Sequence, residues 1–137
     1  MNSETRMPKL TERLSERNRQ ALEAMHAAEA DAEQRLARVE KRGPTALLRL
    51  VAVAQGDSGQ SHHCRRLLLA VYNGPEWPLE LTRLRVIDRD LQDAALVVIE
   101  WATYTGRELH EYLDDGERLM QRFWLIETNK EGGRTDG

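Results

Sequence analysis

Between Lys9 and Arg42, apolar side chains stand at Leu10, Leu14, Ala21, Met25, Ala28, Ala32, Leu36 and Val39, three, four or seven residues apart. A helix of 3.6 residues per turn brings such positions onto one face. Glu12, Arg13, Glu16, Glu23, Glu29 and Arg38 fill the other faces, as expected of a helix in water. Much of the stripe is alanine, so this helix removes little apolar area from water and is only weakly stable alone. It therefore packs on the rest of the chain, frays, or docks on a second copy through Leu14, Ala21, Met25, Ala28, Ala32 and Val39.

Gly43-Pro44 reads as a break, because Pro44 fits the first turn of a new helix, where its missing N–H costs nothing. The expected organisation is a long charged amphipathic helix or arm over 1–42, a compact helical domain over 43–127 and a disordered tail over 128–137. Within the domain, Thr45 to Gln55 is rich in Leu, Val and Ala and reads as a buried helix. A further helix carries Cys64, Leu67, Leu68 and Val71 and stops at Asn73-Gly74. Pro75-Glu76-Trp77-Pro78 is a turn, and Leu79 to Leu84 an extended piece or a helix entry. Asp88 suits the N-cap of a helix through Tyr104 carrying Leu91, Ala95, Val98 and Ala102. Thr105 to Glu108 has the capping-box pattern for a short helix with Leu109, Tyr112 and Leu113. After the Asp114-Asp115-Gly116 turn, a last helix runs from Glu117 to about Ile126. The fold class is all-α: a long N-terminal helix followed by a compact bundle of four to five shorter helices.

A chain of 137 residues accommodates one domain that buries about two-thirds of its unfolded surface, so disulfides are unnecessary. The single cysteine, Cys64, excludes an intramolecular bridge and suits a reducing compartment. The first eight residues lack a basic region followed by an apolar core, so no secretory signal is expected. The longest apolar run, Ala94 to Ile99, falls far short of the roughly 20 residues that cross a bilayer. These features point to a cytoplasmic protein with no membrane contact. A net charge of −3 with both signs interspersed argues against nonspecific DNA binding, which depends on neutralising phosphates.

The segment Gly56-Asp57-Ser58-Gly59-Gln60-Ser61 invites a catalytic reading, since a serine lies among an acid, an amide and glycines just before His62, His63 and Cys64. It is not Gly-x-Ser-x-Gly, however, and its flanks read as helices. The structural reading is simpler. Gly56 stops one helix in a left-handed conformation, Asp57 caps the next, Gln60 completes a capping box, and Gly59 admits another backbone. On that reading Gly59→Val destabilises the fold and Ser58→Ala does little.

His62-His63-Cys64 cannot converge on one ion from successive helical positions about 100° apart, so no metal and no cofactor are expected. Cys64 falls on the apolar stripe and reads as an inert buried thiol. Asp88, Asp90 and Asp93 suit a cap and an acidic helix start. Trp77, between two prolines, with Arg83, Arg85 and Arg89, forms the candidate interaction surface. Arg65 and Arg66 with the same three arginines make the candidate nucleic-acid patch, weighed against pairing with Glu76, Glu80 or Asp88.

Gln55 to Ser61, with Leu68-Leu69-Ala70-Val71-Tyr72-Asn73 and Pro78 to Leu84, resembles an uncharacterised small-protein family of bacterial integrative and conjugative elements and plasmids. The likeness spans roughly Ala46 to Trp124. It implies a setting in mobile DNA, with roles in transfer, maintenance or evasion of host defence, and no activity carries over. The functional expectation is a noncatalytic interaction or adaptor protein with a protein partner, self-associating through residues 9–42. A protein inhibitor of a host defence nuclease and a weak nucleic-acid-binding accessory protein are the alternatives.

Overall fold

The computed structural model describes the backbone of residues 2–136 and the side chains of residues 9–131. Among the described residues five α-helices follow one another: α1 (Asn2–Ala54), α2 (Gly59–Tyr72), α3 (Thr82–Arg85), α4 (Arg89–Tyr104) and α5 (Gly116–Asp136). A 3₁₀ turn, Leu109–Tyr112, lies between the last two. Among the described residues there is no strand, and no helix is long and apolar enough to cross a membrane.

The expected break at Gly43-Pro44 is absent, and the second expected helix is the end of α1. Proline inside a helix forfeits a hydrogen bond and crowds the preceding turn, at about 3 kcal/mol. Packing overrides this preference. Gly43 lies against the Trp101 ring so closely that a Cβ there would overlap it. Val39 before the proline and Leu47, Leu50 and Ala54 after it are all buried. One apolar stripe thus continues through the dipeptide, and unbroken helix is the backbone that keeps it on one face.

The chain divides into two compact units, Met1–Ala37 and Arg38–Gly137. In the first, every side chain from Lys9 to Arg35 is exposed, including Leu10, Leu14, Leu22 and Met25, each more than half so. Val39, expected with this stripe as a self-association residue, is instead 4 % exposed in the core of the second unit. That core gathers Leu47 and Leu50 of α1, Leu67, Leu68 and Leu69 of α2, Leu91, Val98 and Trp101 of α4, and Met120 and Phe123 of α5. Helix α2 is its central element, touching α3, α4, α5 and the 3₁₀ turn. Burial of these aliphatic and aromatic side chains, roughly 1.5–3 kcal/mol each, is what holds the unit together.

Leu79 to Leu84 is a helix entry, one of its two expected forms, and leads into the short helix α3. Local chemistry differs from expectation at three other junctions. Asp88 does occupy the N-cap position of α4, but its side chain makes no capping bond. The Gln60 amide supplies the link instead, its Oε1 accepting from the Asp88 N–H at 3.0 Å. Thr105 accepts from the Arg107 N–H at 3.3 Å rather than forming a box with Glu108, and only a 3₁₀ turn follows. At the C-terminus α5 overruns Ile126 through the segment expected to be disordered, with Glu131 paired to Arg66. Gly137 and the side chains from 132 onward lie outside the described residues.

The Gly56 loop is a helix stop and start, but other residues do the work. No glycine in it has a positive φ, so Gly56 is not a left-handed cap. The free carbonyls of Ala54 and Gly56 are met by the Arg65 guanidinium, Nη1 donating to them at 2.7 and 2.8 Å. Ser58, not Asp57, is the N-cap of α2, and Ser61, not Gln60, completes the box. Ser58 Oγ accepts from the Ser61 N–H at 3.1 Å, and Ser61 Oγ accepts from the Ser58 N–H at 3.3 Å. A Cβ on Gly59 would meet nothing within 4 Å, whereas one on Gly56 would stand 2.8 Å from Ser61 Oγ. The expected mutational order therefore reverses. Ser58→Ala lowers stability by about 1 kcal/mol in urea denaturation, and Gly59→Ala leaves it unchanged or raises it by up to about 1 kcal/mol.

Candidate functional site

Helix α5 places Met120, Phe123 and Glu127 on one face by its three- and four-residue spacing, so a carboxylate enters the core with its apolar neighbours. Glu127 is 0 % exposed, and a bare buried carboxylate is costly. Helix α2 answers it with consecutive arginines. Arg65 Nε donates to Glu127 Oε2 at 2.7 Å, and Arg66 Nε donates to Oε1 at 2.8 Å. His62 Nδ1 also stands 2.6 Å from Oε1, a close electrostatic contact without the alignment of a hydrogen bond. Arg65 is itself 1 % exposed, so neither partner of this pair reaches solvent.

The cluster grades outward from this centre. Arg66 Nη2 donates to Glu131 at 2.7 Å, and its guanidinium lies over the Trp77 ring, 4.5 Å from the centroid. Trp77 in turn meets Trp124 edge-on at 5.5 Å. On the other side, Arg83 of α3 reaches both histidines, with Nη1 at 3.3 Å from His62 Nε2 and 3.1 Å from His63 Nδ1. A guanidinium only donates, so these two ring nitrogens are acceptors and the rings are neutral. In His62 the proton then sits on Nδ1, beside the Glu127 carboxylate. Arg83 also pairs with Glu80 at 3.3 Å.

These surroundings shift the titrating groups. Burial, the largest effect, lowers the pKa of His62 and of His63; Arg83 and Lys130 push the same way, and the pull of Glu127 does not reverse it. Burial alone would raise Glu127, but the hydrogen bonds from Arg65 and Arg66 and the charges around it hold its carboxyl below the ordinary value. Burial likewise pushes the Cys64 thiol up to about 11, in keeping with an inert core cysteine.

The candidate interaction surface is only partly assembled. Trp77, taken as exposed, is 6 % exposed beneath Arg66. Arg83 is largely covered, while Arg85 and Arg89 stand in solvent. Arg65 and Arg66 are engaged by Glu127 and do not form a free basic patch with them. The Ser58 hydroxyl is spent on Ser61, and the described residues contain no group of three metal-ligating side chains. Glu127 itself escaped sequence reading because the last helix was expected to end one residue earlier. The available signal was a carboxylate one turn after Phe123 on the apolar stripe.

Fold and site together define an all-α protein with a buried carboxylate–arginine–histidine cluster in its second unit. Residues 44–125 match the model of a family of unknown function, DUF7673, and the chain belongs to that family. No curated protein and no solved structure gives a significant match.

Two outcomes follow from the cluster. Glu127→Ala leaves Arg65 buried without its counter-charge and lowers stability by about 3–5 kcal/mol, read from the urea midpoint. The histidines impose a pH dependence of calculable sign. An unfolded histidine takes up a proton near pH 6.5, but the folded rings resist until lower pH. Stability is therefore full above about 6.5 and falls as pH drops through the lowered folded values, while loss from protonating Glu127 begins only below 4.5. Melting temperature measured from pH 7.5 to 5 declines on acidification, and His62→Asn with His63→Asn flattens that slope.

Proposed function

We propose that this is a noncatalytic interaction protein that holds its partner through the exposed helix of its first unit and self-associates there. One observation carries the reading. Over residues 9–35 the helix buries none of its side chains, yet it keeps Leu10, Leu14, Leu22 and Met25 on its surface. The ion pairs of Arg19, with Glu16 at 3.6 Å and with Glu23 at 4.0 Å, are exposed and contribute little. Most helical stability in proteins comes from packing an amphipathic face, which this stretch lacks, and a second helix on its apolar stripe supplies the missing burial.

The setting in mobile DNA implied by the family resemblance makes transfer or maintenance machinery the class of process such an adaptor serves. The engagement of Arg65, Arg66 and Arg83 weighs against a nucleic-acid accessory role, since phosphate binding draws on free guanidinium groups. The covered position of Trp77 weighs against a Trp–Arg hot spot for inhibiting a defence nuclease.

Sedimentation equilibrium at micromolar concentration gives a mass at least twice the 15.7 kDa of one chain. Leu14→Glu with Met25→Glu returns it to one chain without lowering the melting temperature of the second unit. A wild-type protein that sediments as a single chain across this range excludes the self-association.

A further inference from the structure

The buried half of α1 reveals the period of its apolar face. Leu36 and Leu47 stand eleven residues apart, as do Val39 and Leu50, and Gly43 and Ala54. Carried upstream, the same spacing reaches Met25 and Leu14 in one row, Ala28 and then Arg17 in the second, and Ala32, Ala21 and Leu10 in the third, so Arg17 is the one charged position on it. Eleven residues make three turns of 3.67, close to an undistorted helix, so the stripe stays on one face without strong supercoiling. Its downstream part is an established interface with α4, where Gly43 meets Trp101, while Leu10, Leu14 and Met25 are bare. The bare part repeats the form of a packing surface whose occupied part is already visible.

From this surface we infer that the occupant is a second copy of the chain, lying antiparallel with the two helices crossing at Ala21. The inference rests on the self-association proposed above and adds its direction and register. The first reason is steric. Large apolar residues crowd one end of the bare stripe, at Leu10 and Leu14, and alanines the other, at Ala28 and Ala32. Parallel copies would set leucine on leucine at one end and alanine on alanine at the other, forcing the axes to splay. Antiparallel copies centred on Ala21 set Leu10 over Ala32 and Leu14 over Ala28 at both ends, and Met25 over Arg17, whose aliphatic stem can lie along apolar surface with its charge in water. The spacing is then even, and the small residues at the centre admit an interaxial distance near the lower end of the usual range, about 8 Å.

Charge selects the same arrangement. Around Leu10 and Leu14, the cations Lys9, Arg13, Arg17 and Arg19 outnumber Glu12 and Glu16. Around Ala28 and Ala32, Glu23, Glu29, Asp31 and Glu33 have no lysine or arginine among them. Parallel copies would bring the acidic segments side by side within a Debye length of about 8–10 Å. In the antiparallel pair each acidic segment lies along the basic segment of its partner.

Single cysteines in the full chain test this, on a Cys64→Ala background whose dimer is first confirmed by sedimentation. Under mild diamide oxidation, Ala21→Cys links to itself. Ala28→Cys does not, because its copies stand about 21 Å apart along the axis, far beyond disulfide reach. Mixing Leu14→Cys with Ala28→Cys protein produces a linked heterodimer. A dimer in which Ala28→Cys links to itself as readily as Ala21→Cys is parallel and overturns the orientation while leaving self-association intact. A background protein that sediments as one chain overturns both.

Discussion

The second unit is organised around one buried charge pair, Glu127 with Arg65. The pair joins three elements in a few ångströms: Arg65 of α2 donates from Nε to the carboxylate of α5 and from Nη1 to the carbonyls of Ala54, at the end of α1, and Gly56 just beyond it. Desolvating both ions is expensive, so the arrangement persists only because nearly every polar atom there has a partner. An apolar replacement could fill the same volume, but it would not satisfy the carbonyls of Ala54 and Gly56. The pair therefore does what a helix cap does, using a side chain from the next helix and anchoring it to the last.

Around this centre, small residues decide where large ones go. Gly43 lets the Trp101 ring lie on the α1 backbone, and Gly56 leaves room for the Ser61 hydroxyl that closes the capping box. Both glycines were read as helix punctuation, and both are instead sites of close approach. Pro44 shows the same hierarchy. A residue that disfavours helix interiors is carried within one because its neighbours on both sides have apolar partners to meet.

Helix α1 thus contains two fates of one pattern. From Val39 onward its stripe is covered by the chain's own core, and before Leu36 the same eleven-residue register stands in water. The polar cluster faces a different task. With the histidines kept neutral by burial and by Arg83, its groups are turned toward one another, and Ser58 is a cap. The proposed interaction rests on the uncovered apolar helix face of the first unit, and the cluster is the scaffold of the second.

What the sequence determined by itself was whatever depends on near neighbours: the all-α class, the limits of α4, the buried Cys64, and the amphipathic stripe, all written in periodicity and caps. Tertiary structure decided what depends on residues far apart in the chain. Continuation of α1 through Gly43-Pro44 required Trp101, nearly sixty residues away, and the end of α1 required Arg65. The role of Glu127 required α5 to pass Ile126 and meet α2. Trp77 could be read as exposed until Arg66 and Trp124 were placed around it. Local spacing sets which face of a helix is apolar; only three-dimensional packing determines whether that face finds cover and which charges are buried with it.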